Sequence, residues 1–291
     1  MAAIIIDGKA VAAKLKDQVR QRADNLKQSG IIPCLAVILV GQDPASLSYV
    51  SAKQKALAEA GMDGRDIRLD EATPEAELLS RIASLNADNS VHGILVQLPL
   101  PAHISTAAVI AAIDPRKDVD CFHPVNVGKL LLDEPGFLPC TPHGILHLLQ
   151  SCGIPVKGAH AVVVGRSNIV GKPLSLLLAR REQNATVTLC HTGTKDLAVH
   201  TRQADILIAA AGTPGLISAG MIKKGAAVID LGVNRVPDAA SSSGFRLKGD
   251  VDFQQAAEVA GWITPVPGGV GPMTIAMLMR NVIQAAEEEN A

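Results

Sequence analysis

Apolar and polar positions along this chain fall into blocks that read alternately as helices and strands. Val11, Leu15, Val19 and Leu26 recur at helical spacing and predict a helix over residues 11–28, capped by Gly30. A continuous aliphatic run at 35–40 and the stretch 92–98 predict buried strands, as in a parallel sheet. Between them, Asp43-Pro44 opens a helix that stops near Gly61, residues 67–69 mark a short strand, and Thr73 to Glu77 start a helix over 78–85. A further helix is expected over 104–113. The stretch 114–137 is dense in Pro, Gly and Asp and predicts little regular structure. A helix over 143–150, closed by Gly153, reads as a connector. Strands then fall at 161–164, 185–190, 206–209 and 226–231, with helices over 174–180 and 197–202. Ser241 to Gly244 is turn-like. Ile275, Leu278, Met279 and Val282 carry a last helix, whose acidic end at 287–289 is expected to fray because carboxylates sit poorly at a helix C-terminus. Strand–helix–strand order implies parallel strands with helical crossovers in two α/β units, the last helix returning to the first.

The stretch A-H-A-V-V-V-G-R-S-N-I-V-G-K-P, residues 159–173, sharpens that picture. Strand, glycine turn and helix put backbone N–H groups and a helix N-terminus where a pyrophosphate can bind. Ser167 stands where a dinucleotide fingerprint has its second glycine, so an ordinary strand-to-helix turn fits about equally well at this point.

Composition narrows the function. The chain has 291 residues and a net charge of −1; 48% are hydrophobic and only 2% aromatic. No global field draws it to nucleic acid or anionic lipid, and aromatic platforms for single strands are missing. Five scattered cysteines without a C-x-x-C predict a reduced, intracellular protein with neither disulfides nor a zinc site. The histidines lack metal-ligand spacing, so no metal is expected. The start M-A-A-I-I-I-D-G has no basic leader, and no apolar run spans a membrane.

Candidate chemistry is confined to a few positions. Tyr49, the sole tyrosine, and Lys53 share one helical face; alone, such a pair reads as a solvated face. It also marks short-chain dehydrogenases, but there the nucleotide loop precedes the pair, and here it follows by more than a hundred residues. Gln97 ends a buried strand, where a polar side chain needs a partner and where ligands of parallel sheets sit. Asp120 reads either as an exposed loop acid or as a ligand group; Asp118 beside it reads as exposed. At the end of the second nucleotide-unit strand an NAD site presents an acid to the ribose, whereas this chain has Cys190-His191-Thr192. That end tolerates a 2′-phosphate, and Arg166 offers it a planar cation, so NADP is expected rather than NAD. A surface position for His191 is as good a reading as a phosphate contact.

Y-V-S-A-K, V-Q-L-P-L-P, K-D-V-D, P-C-T-P, G-R-S-N-I-V-G-K-P and T-P-V-P-G-G-V-G-P-M-T stand in one order along one chain. Together they closely resemble the bifunctional methylenetetrahydrofolate dehydrogenase/methenyltetrahydrofolate cyclohydrolase family over essentially the whole length. The resemblance implies an N-terminal three-layer α/β catalytic domain at 1–138, completed by a C-terminal helix at 272–291. A Rossmann-type NADP-binding domain would occupy 139–271, with the folate cleft between the two. It implies a cytoplasmic homodimer that oxidises 5,10-methylenetetrahydrofolate with NADP and hydrolyses the methenyl product to 10-formyltetrahydrofolate. Carried over by residue, Lys53 resembles the catalytic lysine, Tyr49 the ring against the folate, Gln97 the partner that tunes Lys53 and Asp120 the pterin anchor. Gly165, Arg166 and Ser167 resemble the cofactor loop, joined by His191, Thr192 and Val233, and Pro265, Pro267, Gly268 and Gly269 would line the folate side. Cys121 replaces the family's usual glycine, so a positive φ there would be strained. Two other readings remain open: a short-chain-type oxidoreductase using Tyr49 and Lys53, and a non-catalytic sensor of NADP and folate.

Overall fold

A computed structural model of the chain describes residues 2–238 and 244–289, so the turn expected from Ser241 lies mostly outside the described residues. In chain order the elements are β1 (Ile4–Ile5), α1 (Gly8–Gln28), β2 (Cys34–Val40), α2 (Pro44–Glu59), β3 (Asp63–Leu69), α3 (Glu75–Asn86) and β4 (Gly93–Val96). Then follow α4 (Thr106–Ala112), α5 (Pro124–Leu131), α6 (Cys140–Ser151), β5 (His160–Val164), α7 (Gly171–Ala179), β6 (Thr186–Cys190), α8 (Leu197–Thr201) and β7 (Ile206–Ala209). The last are β8 (Ala227–Asp230), β9 (Asn234–Pro237), β10 (Phe245–Lys248), α9 (Phe253–Ala256), β11 (Trp262–Ile263) and α10 (Gly271–Glu289). They form two compact units: Ala13–Lys129, Glu134–Cys140 and Ile275–Ala291 make one, and Met1–Ala12, Leu130–Asp133 and Thr141–Thr274 the other.

The first unit is built on a parallel sheet ordered β3-β2-β4. Every residue of β2 is buried, which explains its unbroken aliphatic run. Cys34, Ala36, Ile38 and Val40 pack with Leu78, Ile82 and Leu85 of α3 and Val109 of α4, while Leu35, Val37 and Leu39 face the other side. β3 is longer than the 67–69 expected. Paired on one side only and half exposed, it reads D-G-R-D-I-R-L and carries no apolar run to betray it. α5 lies within the stretch 114–137, where little regular structure was expected. α10 stays helical to Glu289 instead of fraying at 287; Arg22 forks onto the Glu287 carboxylate with bonds of 3.0 and 2.5 Å and ties down the acidic end.

The second unit carries a six-stranded parallel sheet ordered β1-β11-β8-β7-β5-β6. From β5 the chain steps to β6 on one side and then to β7 on the other. This reversal opens a crevice at the strand C-termini, where α/β sheets bind ligands. Val162, Val164, Leu207, Val228 and Ile263 make one face of its core. β1 pairs with β11, and residues 1–12 cluster with this unit. A two-residue strand has no ladder of its own, and the N–H of Ile6 donates to Ile263 O at 2.8 Å to extend the pairing. No helix among the described residues is long and apolar enough to cross a membrane.

Candidate active site

α2 presents Ser46, Val50, Lys53 and Leu57 on its buried stripe, so Lys53 occupies a position that helical pattern gives to an apolar residue. It is only 8% exposed, whereas Tyr49 on the preceding turn is 42% exposed. Its ammonium reaches the C-terminal end of β4. There the Gln97 N–H continues the ladder by donating to Ile38 O at 2.8 Å. The Gln97 amide is oriented by its own backbone: Nε2 donates to Leu98 O at 2.8 Å, which leaves Oε1 to accept from Lys53 Nζ at 2.8 Å. Burial lowers the Lys53 pKa, because a desolvated ammonium is costly; the negative charge of Asp120 opposes that shift without cancelling it.

Asp120 lies in the loop between α4 and α5, half-buried. Burial raises its carboxyl, the Lys53 charge works against the rise, and Asp118 adds to it. Desolvation thus pulls Lys53 and Asp120 toward their uncharged forms. Asp118 is not the exposed acid expected. It is 2% exposed and its carboxylate accepts from the N–H groups of Phe122 (3.1 Å) and His123 (2.8 Å) and from Asn126 Nδ2 (2.8 Å). Those donors lead into α5 and fold the loop that carries Asp120 two residues on. Cys121 does adopt a positive φ of 61°, a conformation costing roughly 1–2 kcal/mol outside glycine. Its buried thiol donates to Phe137 O at 3.1 Å.

Two residues of this site escaped the sequence reading. The Cys140 thiol bonds Val119 O at 3.3 Å and lies against the Asp120 carboxylate. Asn281 of α10 donates through Nδ2 to Val119 O (2.7 Å) and Leu138 O (2.9 Å) and so fixes the backbone beside Asp120. The available signal was a lone asparagine among the apolar positions of the last helix, 1% exposed here.

In the second unit the nucleotide turn follows β5. Gly165 has φ 123°, and a Cβ there would overlap Ala210 O; one at Gly171 would overlap Gly165 O. The turn therefore closes only without side chains at both positions. Ser167, in place of the missing glycine, accepts from the N–H groups of Val170 (3.2 Å) and Gly171 (3.4 Å) at the entry to α7. Arg166 is exposed and takes part in none of the ion pairs among the described residues. Beside it, the Gly165 N–H donates to Cys190 O at 2.9 Å, which brings the end of β6 alongside. There His191 Nδ1 accepts from the Gly193 N–H at 3.0 Å and Thr192 is exposed. Val233, after β8, is 57% exposed on the same sheet edge. Gly165, Arg166, Ser167, His191, Thr192 and Val233 thus share one rim. The cradle around Gly165 and the absence of an acid after β6 both fit a dinucleotide with a 2′-phosphate. Pro265 to Gly269 form a separate loop of this unit: Pro267 is exposed, Gly269 is packed against Pro265 O and Thr264, and the backbone of Gly8 presses on the Gly269 carbonyl.

A buried amine at the end of one parallel sheet and a glycine-cradled rim on another define a two-domain α/β enzyme that works with a dinucleotide. The family model described as tetrahydrofolate dehydrogenase/cyclohydrolase, catalytic domain, matches residues 6–120, and its NAD(P)-binding domain matches 139–290. The bifunctional protein FolD of Exiguobacterium sibiricum is 57% identical over 285 residues, covering 98% of this chain and 100% of that protein. The crystal structure of the bifunctional FolD enzyme from Campylobacter jejuni superposes with a TM-score of 0.94 at 48% identity, covering 99% and 100% of the two chains. That of the Trypanosoma brucei enzyme, complexed with NADP cofactor and inhibitor, gives 0.95 at 39% identity, covering 100% and 99%. The chain belongs to the bifunctional methylenetetrahydrofolate dehydrogenase/methenyltetrahydrofolate cyclohydrolase family. With that membership come both activities, dehydrogenase and cyclohydrolase.

Proposed function

We propose that Lys53, Gln97, Tyr49 and Asp120 form one folate site at which this chain carries out both reactions in sequence. The observation that carries the reading is the buried Lys53 amine, held at 2.8 Å by an amide oxygen whose own orientation is fixed. NADP, when bound at the rim formed by Gly165, Arg166, Ser167, His191, Thr192 and Val233, accepts the hydride. Oxidation of the methylene bridge releases no proton from carbon, because the neighbouring nitrogen lone pairs carry the cation. That step asks the protein for orientation, worth about 7–11 kcal/mol when complete. Asp120 supplies it by offering two carboxylate oxygens to the adjacent N–H donors of a pterin, and the exposed Tyr49 ring gives the folate a flat surface. Pro265, Pro267, Gly268 and Gly269 contribute the loop on the folate side.

Hydration of the methenyl cation differs, because the attacking water must lose a proton. An ordinary lysine, with a pKa of about 10.4, is almost wholly protonated at neutral pH and a poor base. Burial lowers that value for Lys53, and Gln97 Oε1 holds the amine in place while it takes the proton. Arg166 matches the 2′-phosphate as a planar fork and sets the preference for NADP. Five free cysteines suit a reducing cytoplasm, and a homodimer is the assembly we assign. The short-chain alternative is disfavoured because Tyr49 and Lys53 belong to the unit that lacks the nucleotide rim.

The test uses purified protein with methylenetetrahydrofolate and NADP, alongside Lys53→Met. The wild type reduces NADP and yields 10-formyltetrahydrofolate. The variant loses cyclohydrolase rate by roughly 10²–10⁴ while still reducing NADP measurably. Equal loss of both activities with folate binding intact contradicts a water-specific role. Binding without any turnover in the wild type is the sensor outcome.

A further inference from the structure

The nucleotide unit holds two buried carboxylates that no step above uses. Asp230 ends β8, and Asp250, fully buried, lies between β10 and α9. Each sits in a short motif with a glycine, Asp230-Leu231-Gly232 and Gly249-Asp250-Val251, and the two motifs grip each other. The Asp230 carboxylate accepts from the N–H groups of Gly232 (2.8 Å), Asp250 (2.9 Å) and Val251 (3.0 Å). The Asp250 carboxylate accepts from the N–H groups of Ala211 (2.7 Å) and Gly212 (2.8 Å) and from Asn234 Nδ2 (2.9 Å). A Cβ on Gly249 would overlap the Asp230 carboxylate, and one on Gly232 would overlap the main chain and carboxylate of Asp250. The glycines are there because the other motif's acid fills their space.

Buried carboxylates are costly to a fold. Burial pushes Asp230 up to about 6 in spite of its three amide donors, and the Asp250 charge adds to the push. What this arrangement secures is the loop after β7. Ala211 and Gly212 are pinned by Asp250, while the neighbouring Ala210 carbonyl presses on Gly165. The Gly165 carbonyl in turn presses on Gly171 at the start of α7. On the other side, the pinned Gly232 precedes Val233. Asp250 thus stands behind the rim, touching none of the residues assigned to the cofactor but fixing the backbone on which they rest.

We propose that Asp250, seated on Asp230, is a positioning residue for the dinucleotide: it locks the loop after β7 against the Gly165 turn and so sets the shape of the turn that receives the pyrophosphate. This rests on the cofactor reading above. The experiment measures both activities of the full chain, because cyclohydrolase turnover of supplied methenyltetrahydrofolate needs no dinucleotide. Asp250→Ala raises the KM for NADP by about tenfold or more with cyclohydrolase turnover within about twofold of wild type. Asp250→Asn keeps one acceptor oxygen for Ala211 and Gly212 and falls between the two. If Asp250→Ala does not fold, Asp250→Asn decides alone by the same split. An unchanged KM for NADP, or a parallel fall of both activities, overturns the proposal. A wild type that reduces no NADP removes the cofactor reading itself and the proposal with it, a result distinct from either.

Discussion

The two ends of chemistry in this chain are built on opposite plans. At the end of β4 the proposed folate site rests on one perturbed side chain: a lysine placed on an apolar stripe, held by one amide oxygen and faced by one acid. At the rim of the six-stranded sheet the proposed dinucleotide site rests on backbone shape, where Gly165 and Gly171 leave room and Ser167 holds the entry to α7. The first plan is sensitive to the charge on a few atoms and indifferent to small changes of shape. The second depends on one cation for its choice of dinucleotide and fails as a cradle when a methyl group is added. Separate substitutions should therefore divide the two activities of one enzyme.

The largest division is expected from Gly165→Ala, which puts a Cβ onto Ala210 O at a φ of 123°. NADP-dependent turnover should fall by about a hundredfold, as two or more kcal/mol of turn geometry is lost, with cyclohydrolase near wild type. Steady-state assays of both reactions on one preparation check it. Asp120→Asn breaks the other side. Folate KM should rise about tenfold with the loss of a charged acceptor. The pH limb of the cyclohydrolase should also move to lower pH, because removing a negative neighbour favours the neutral form of Lys53. Arg166→Ala sharpens the comparison: the KM for NADP should rise about tenfold and that for NAD much less, read as the ratio of the two KM values. The smallest effect concerns Cys121. Cys121→Gly should melt about 2–4 °C above Cys121→Ala, since both lose the thiol and only glycine relieves the φ of 61°.

Legibility in the sequence followed the same division. The aliphatic runs of β2, β5 and β7 were plain because fully buried strands have no polar face to blur them. β3 was read short because an edge strand carries charge on its exposed positions. Lys53 and Gln97 could be paired only through the family resemblance, because periodicity carries no trace of a bond that joins α2 to the end of β4 across 44 positions of chain. Asp118 was misread as exposed because its donors lie four to eight residues downstream, in a loop and the start of α5 that give no periodic signal. Asn281, Asp230 and Asp250 were missed for a related reason: most of their partners are backbone groups, and backbone groups leave no mark on sequence. The short pieces β1 and β9 to β11 depend wholly on a neighbour's ladder and have no pattern of their own.

The central claim is that burial makes Lys53 a base for water and leaves it a bystander to hydride transfer. Its most direct test is the pH dependence of both turnover rates in the wild-type enzyme. A lysine whose pKa is lowered loses its proton as pH rises through that value. Cyclohydrolase kcat should therefore climb along a limb centred below about 10.4. The dehydrogenase should show no such limb, and Lys53→Met should abolish it. A cyclohydrolase rate that is flat with pH, or one limb shared by both activities, would contradict the account.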